Sequence, residues 1–464
     1  MEEIKMFNTL RIQGFLGAIL LSNIYAIAVI SIIVPDRVWA KTVTGNYAAV
    51  NEDRIINHND SENQDASAYF NLGVNKYNQG DYSGALSDFT KAIELRSDFI
   101  EAYYNRGILQ IELGDYQGAI ADFSSVINLE PSRIEAYYNR GNIRSIIGDY
   151  VAAIADFNKV IELQPDLFYV YSNRGVARSG LGDEEGAIAD FTKAIELEPN
   201  AVDAYNNRGI IRRKLGDYAG AIEDYSQVIE LKPNDAKTYF NRGIARAELG
   251  NTEGAIEDYN RAIELKPDYA EAYLNRGNIW QYLADYQQAI ADFSQAIKLN
   301  SELADAYNNR GNVRRLLGDN SGAIVDYDQA LLMQPNLPDV YNNRGNAYSA
   351  LGNYREAISN YNQALELNPD LFLTYNNRGA AYVKLGNYEA ALADFNRAIE
   401  LQPNFANAYE SRGVVYKQLR NLPKAIEDLQ KAAELFEAED NNSDYERVKK
   451  VIDQIERDAD IQSI

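Results

Sequence analysis

Apolar residues return along most of this chain with the spacing of a helix, and the whole pattern then repeats. Ala221, Ile222, Tyr225, Val228 and Ile229 fall at i, i+1, i+4, i+7 and i+8, which places them on one stripe of a helix. The preceding stretch ends Leu215-Gly216-Asp217. Gly216 suits the left-handed residue that closes a helix, and Asp217 suits the N-cap that opens the next. Pro233 stops the second helix. The predicted unit is therefore two helices joined by a very short turn. Gly209 and Ala221 lack bulk where those helices should cross, so they predict a close approach.

The unit is copied without a slip of register. Arg-Gly recurs every 34 residues ten times, from Arg106 to Arg412. With the glycine as position 8, eleven repeats run over 66–439. Position 4 is Tyr in all eleven, from Tyr69 to Tyr409, and position 20 is Ala in all eleven, from Ala85 to Ala425. Position 24 is Phe or Tyr in ten copies and Leu429 in the last, and position 32 is Pro in eight. One hairpin cannot bury its stripe alone, so a tandem array must stack its copies.

These residues resemble the tetratricopeptide repeat family. Its 34-residue helix-turn-helix unit carries an aromatic at position 4, Gly at 8, Ala at 20, an aromatic at 24 and Pro at 32. The resemblance implies an all-α, right-handed superhelical solenoid of eleven repeats, closed by a C-terminal capping helix at 443–458. Ser443-Asp444-Tyr445-Glu446 has the spacing of a capping box, and Val448, Ile452 and Ile455 form one apolar stripe behind it. The chain departs from the family at position 7, where ten copies carry Arg in place of Leu. Position 23 is Asp in every copy but one, Asn360. Arg208 with Asp224 is therefore expected to form a structural ion pair between the two helices of a repeat, repeated along the chain.

The first 40 residues read differently. Residues 1–13 are a flank, and Gly14 to Val34 contains no charged residue over 21 positions, enough to span a bilayer as a helix. Val38-Trp39-Ala40 resembles a signal-peptidase site. Both a retained anchor and a signal cleaved after Ala40 are open, and both place the repeats outside the cytoplasm, as a membrane-tethered or a secreted or periplasmic protein. Residues 41–65 are polar and read as a flexible linker that holds the only histidine, His58.

Composition narrows function. The net charge is −23, so a nucleic-acid partner is not expected. With no cysteine, thiol catalysis, disulfides and zinc-thiolate sites drop out. Neither a phosphate-binding loop nor a clustered metal-ligand set appears, and no segment outside the repeats is long enough for a catalytic domain. The sequence predicts no catalytic residue, no metal and no cofactor.

Binding of proteins or peptides is the function the resemblance implies, because members of the family bind them on the concave face through positions 2, 5, 6, 9, 12 and 13. Position 6 supplies Asn139, Asn173, Asn207, Asn241, Asn275, Asn309, Asn343 and Asn377, position 9 supplies Asn312 and Asn346, and position 5 supplies Asn308, Asn342 and Asn376. An amide ladder offers a peptide backbone both donors and acceptors. The plainer reading is that these amides bond neighbouring helices. Their density points to repeats eight to ten as the groove. Lys237 is the only Lys at position 2, position 5 is never Lys and position 6 never Arg, so the family's mode of holding chaperone C-termini is not expected. Arg144, Arg178, Arg212, Arg213, Arg246, Arg314 and Arg315 form a basic stripe that could take an anion, or pair with the chain's own acids. A non-catalytic scaffold or assembly factor, and a soluble peptide-binding module, are the two functional expectations. Nothing in the sequence sets the oligomeric state.

Overall fold

The computed structural model describes residues 60–462. The expected anchor, the cleavage position and His58 lie outside the described residues. Within them the chain forms twenty-three helices and no strand. The first, α1 (Asp60–Asn78), starts six residues before the repeat frame, so the last part of the expected linker is helical.

A typical repeat pairs a helix of 13 residues with one of 14, as in α9 (Val202–Lys214) and α10 (Tyr218–Leu231). The turn between them follows from two residues. Gly216 sits at φ +84°, the left-handed region that favours glycine. Asp217 Oδ1 then accepts the Gly220 N–H at 2.9 Å and caps α10. Ala284 and Arg420 occupy the glycine's place in two other turns at φ 59° and 58°. The helices meet where the sequence lacks bulk. A Cβ on Gly209 would lie 2.9 Å from Cε1 of Tyr225, so only glycine lets the position-24 ring seat against the first helix.

The described chain divides into two compact units, one ending at Asn251 and the other starting at Thr252. In the first, each hairpin packs on the next, and first helices of adjacent repeats also touch, as α9 does with α7 (Phe168–Gly180). Phe123, Phe157, Phe191 and Tyr225, all at position 24, are fully buried and head successive core clusters. The second unit opens with α12 (Thr252–Leu265) and repeats this construction around Phe293, Tyr327, Tyr361 and Phe395.

The second unit ends in a half-repeat. Helix α22 (Leu422–Ala438) runs 17 residues, and α23 (Asn442–Gln462) packs against it through Val448, Ile452 and Ile455. The cap of α23 differs from the box read at Ser443. Asn441 Oδ1 accepts the Asp444 N–H at 3.3 Å, while Asn441 Nδ2 donates to Asp444 Oδ2 at 2.7 Å. The helix therefore starts at Asn442. Counted from there, Tyr445 takes position 4 and Lys449 takes the glycine's position 8. Lys449 is exposed, so its side chain meets no aromatic ring of the kind that presses on the glycine in the inner repeats.

Candidate partner-binding face

The arginine of position 7 joins three helices. Arg208 Nε and Nη2 donate to Asp224 Oδ2 and Oδ1 at 3.0 and 2.6 Å, a bidentate pair between α9 and α10. Its Nη1 donates to Thr192 Oγ1 at 2.9 Å, on the second helix of the preceding repeat. The same three-way contact recurs at Arg106, Arg140, Arg174, Arg276, Arg310, Arg378 and Arg412. Each of these guanidiniums also lies 5.4–5.8 Å from the position-4 tyrosine ring. Arg344 shows the logic by exception. Its own repeat offers Asn360 instead of Asp, and the carboxylate appears on the other side, as Asp328 of the repeat before. The upstream partner, position 25, was missed in the sequence although it is Thr, Ser, Asn or Asp in the first ten copies. Burial pushes the Asp224 carboxyl above the ordinary range, with Arg208 and Arg212 pulling it back.

The basic stripe is largely spent inside the fold. Arg144 pairs with Asp156 at 2.7 Å, Arg178 with Asp190 and Arg212 with Asp224 at 3.1 Å, and Arg314 with Asp326 at 2.9 Å. Arg213 reaches Glu248 at 3.0 Å, and Lys214 reaches Glu184. Arg246 also has a partner. Arg315 alone of the stripe keeps a buried Nε with no hydrogen-bond acceptor. Of the two readings of the stripe, the geometry favours internal pairing: the acids of position 23 and their neighbours occupy most of these guanidiniums.

The amide ladder is likewise mostly internal. Asn139 Nδ2 donates to Tyr104 OH at 3.0 Å, and Asn173 Nδ2 to Tyr138 OH and Asn142 Oδ1 at 3.1 and 2.9 Å. Asn275 bonds the Glu271 carbonyl of its own helix. In repeats eight to ten the amides close on one another. Asn309 donates to Asn278, Asn308 donates to Asn309, and Asn377 donates to Asn342 and Asn346. Asn312 and Asn346 accept the hydroxyls of Tyr327 and Tyr361 at 2.8 Å. Asn343 and Asn376 sit half-buried on the same face, with Asn376 Oδ1 unpaired. The density of asparagine that singled out these repeats reflects this internal bonding.

An open cleft lies elsewhere, between repeats five and six. It encloses about 560 Å³ and is lined by Asp203, Asn206, Asn207 and Ile210 of α9, by Lys237, Thr238 and Asn241 of α11 (Ala236–Glu248), and by the joining loop at Lys232 and Pro233. Thr238 Oγ1 donates to Asp235, which also caps α11 through the Lys237 N–H at 3.3 Å, and the same Oγ1 lies 3.4 Å from the Asn206 side-chain amide. Asn207, 2% exposed, keeps an Nδ2 with no acceptor. Its counterpart Asn173 uses a tyrosine and an asparagine of the preceding repeat. For Asn207 those places hold Ser172 and Val176.

The described residues hold no group of three or more acidic or histidine side chains placed to bind a metal, and no helix long and apolar enough to cross a membrane.

Comparison with known proteins agrees with this construction. Profiles described as tetratricopeptide repeat match residues 100–133, 134–167, 168–201, 191–223, 270–303, 372–405 and 406–439. A profile described as TPR repeat matches 75–114, 209–250, 245–281, 311–352 and 345–386. Together they cover well over half of the sequence, and the chain belongs to the tetratricopeptide repeat family. Among solved structures, it is similar to MamA, with 31% identity over 36% of this chain and 92% of that one, TM-score 0.34. Yeast Tom70 aligns at 17% identity over 87% and 98% of the two chains, TM-score 0.38. YrrB, described as a TPR protein with an unusual peptide-binding site, aligns at 27% over 40% and 95%, TM-score 0.36. No curated protein matches.

Proposed function

We propose that this chain is a non-catalytic interaction scaffold that holds a protein segment against its first helices, with the cleft between repeats five and six as the principal contact. Proteins of this family bind other proteins or peptides. The observation that carries the assignment to this cleft is its open volume, in the range of ligand sites, beside amides and cations. Elsewhere on the same face many of the amides bond groups of the fold itself. A photoreactive residue placed at Lys237 should give discrete partner adducts in cells. The same residue at Val151 or Leu332, both exposed on second helices, should give none. Equal adducts from all three positions would reject the cleft.

The apolar segment 14–34 supports a second element of the proposal, that the repeats work at or beyond a membrane. Fractionation with intact mass tests it. A full-length mass in the carbonate-resistant pellet identifies an anchor, and a soluble form starting at Lys41 identifies a cleaved signal. A soluble form that retains Met1 rejects both.

A further inference from the structure

We propose that residues 41–59 fold back as a strap over the upstream face of α1 and close the first repeat. The face in question is the one that later first helices turn to the repeat before them. Ala102 and Leu109, at positions 3 and 10, share a core with Phe89 and Ala92 of the preceding second helix. Ala136 and Ile143 do the same with Phe123 and Val126, and Val170 and Ala177 with Phe157 and Val160. In α1 those positions hold Ala68 and Asn75, and both are exposed. Between them lie Tyr69 and Leu72, 37% and 44% exposed.

The residues of this face say what covers it. Inner repeats bracket the junction with the arginine of position 7, which donates to the preceding second helix, Arg106 to Thr90 and Arg140 to Ser124. The first repeat has Leu72 in that place, and the acid an arginine would have held, Asp88, takes Lys76 at 2.7 Å. The cover therefore meets Leu72 with apolar atoms. Asn75 sets where it stops. A whole second helix, from a further hairpin or a second copy, would bury the Asn75 amide where inner repeats carry Leu109 or Ile143, and a buried amide needs partners. A strap that ends at Leu72 leaves Asn75 in water. The chain supplies that strap. Leu72 lies about 18 Å along α1 from Asp60, at 1.5 Å per residue. Asn57, His58 and Asn59 suit a turn before the helix. The return then takes about six residues if extended or about twelve if helical. Ile55 and Ile56 adjoin the turn, an extended return sets Val50 at the level of Leu72, and a helical one sets Tyr47 there. Docked in this way, the strap shortens the tether between the apolar segment 14–34 and the stack, so a retained anchor holds the first repeat next to the membrane. The contact is independent of the cleft between repeats five and six.

The test uses the full chain in detergent micelles. The chain has no cysteine, so Leu72→Cys and Asn75→Cys each place a single thiol on this face. Labelling by a maleimide reads the access to each. The Leu72→Cys thiol should react about tenfold slower than the Asn75→Cys thiol, and Tyr47→Ser with Val50→Ser should remove the difference. In the cysteine-free chain the same two serines should speed hydrogen exchange of the α1 amides around Leu72 by about tenfold and leave α9 unchanged, which separates loss of the strap from loss of the fold. Exchange in α1 that ignores the serines overturns the proposal. So does protection of the Leu72→Cys thiol that survives the serines and grows with protein concentration, which would assign the face to a second copy.

Discussion

At the scale of single residues, the repeated arginine explains why this variant of the repeat is so regular. Its guanidinium binds one carboxylate with two bonds and a third group on the neighbouring repeat, so a single side chain fixes both the hairpin and its junction. Such a pair is costly to break from one side. Arg208→Met leaves Asp224 2% exposed with Arg212 as its remaining cation. The expected loss is about 3 kcal/mol, the lower end for removing one partner of a buried pair. Arg208→Met with Asp224→Leu should lose less, since the buried carboxylate is gone and Arg212 keeps the Gly220 carbonyl at 3.0 Å and Asp217 at 3.6 Å. The pH dependence has a definite sign. Burial already raises the Asp224 carboxyl, and removing Arg208 raises it further, so the ionised form is the destabilised one. A raised acid contributes stability below its unfolded value and loses that contribution as pH rises through its folded value. The deficit of Arg208→Met should therefore shrink as pH falls from neutral towards the carboxylate range. Hydrogen exchange of amides in α9 and α10 at several pH values reads this directly. A deficit that grows on acidification would show that Asp224 is not the group left exposed to the loss.

At the scale of elements, the sequence and the structure agree where the governing contacts are local. The Gly216 turn, the Asp217 cap and the Gly209 crossing all depend on residues within one repeat, and each was legible. The amide network was legible only as the plainer of two readings, and its partners were not, because several of its bonds reach residues 31 to 35 positions away. The same asparagine is satisfied or orphaned by what its neighbour repeat offers. Asn342 Oδ1 accepts Thr374 Oγ1 at 3.1 Å, whereas Asn308, one repeat earlier, faces Val340 in the threonine's place and its Oδ1 has no donor. The α23 start was misread for a related reason: the lengthened α22 shifts the frame by two residues, which hides Tyr445 from a strict 34-residue count. Val340→Thr should supply the missing donor. The new bond is worth about 1 kcal/mol, set against a similar cost of burying a hydroxyl where a methyl stood. The expected result is equal or greater stability by denaturant melt, with new protection of the α17 amides, where α17 is Pro338–Ala350. A loss above about 1.5 kcal/mol, typical of an unpaired buried hydroxyl, would mean the Asn308 oxygen is not within reach.

At the scale of the molecule, tandem repeats trade global cooperativity for nearest-neighbour contacts, so the last repeat is the place where stability is most exposed. The half-repeat α23 answers that. Its Val448, Ile452 and Ile455 cover Ala432, Ala433 and Phe436 of α22, and its outer side carries Lys449, Lys450 and Glu456. Arg447 also reaches back to Glu410 on α21 (Ala406–Gln418), a charged contact in the place where inner repeats set an asparagine against the preceding position 5. Burial of three aliphatic side chains accounts for about 5 kcal/mol at this end. Ending the chain after Glu439 should therefore leave Phe436 uncovered while the remote repeats keep their neighbours. The truncated protein should retain nearly the helicity expected for its length. Exchange protection should drop first in α21 and α22, and the protein should self-associate at concentrations where the full chain does not. Unchanged protection in α22 would mean that Phe436 finds other cover, and that the half-repeat serves a partner in place of the stack it closes.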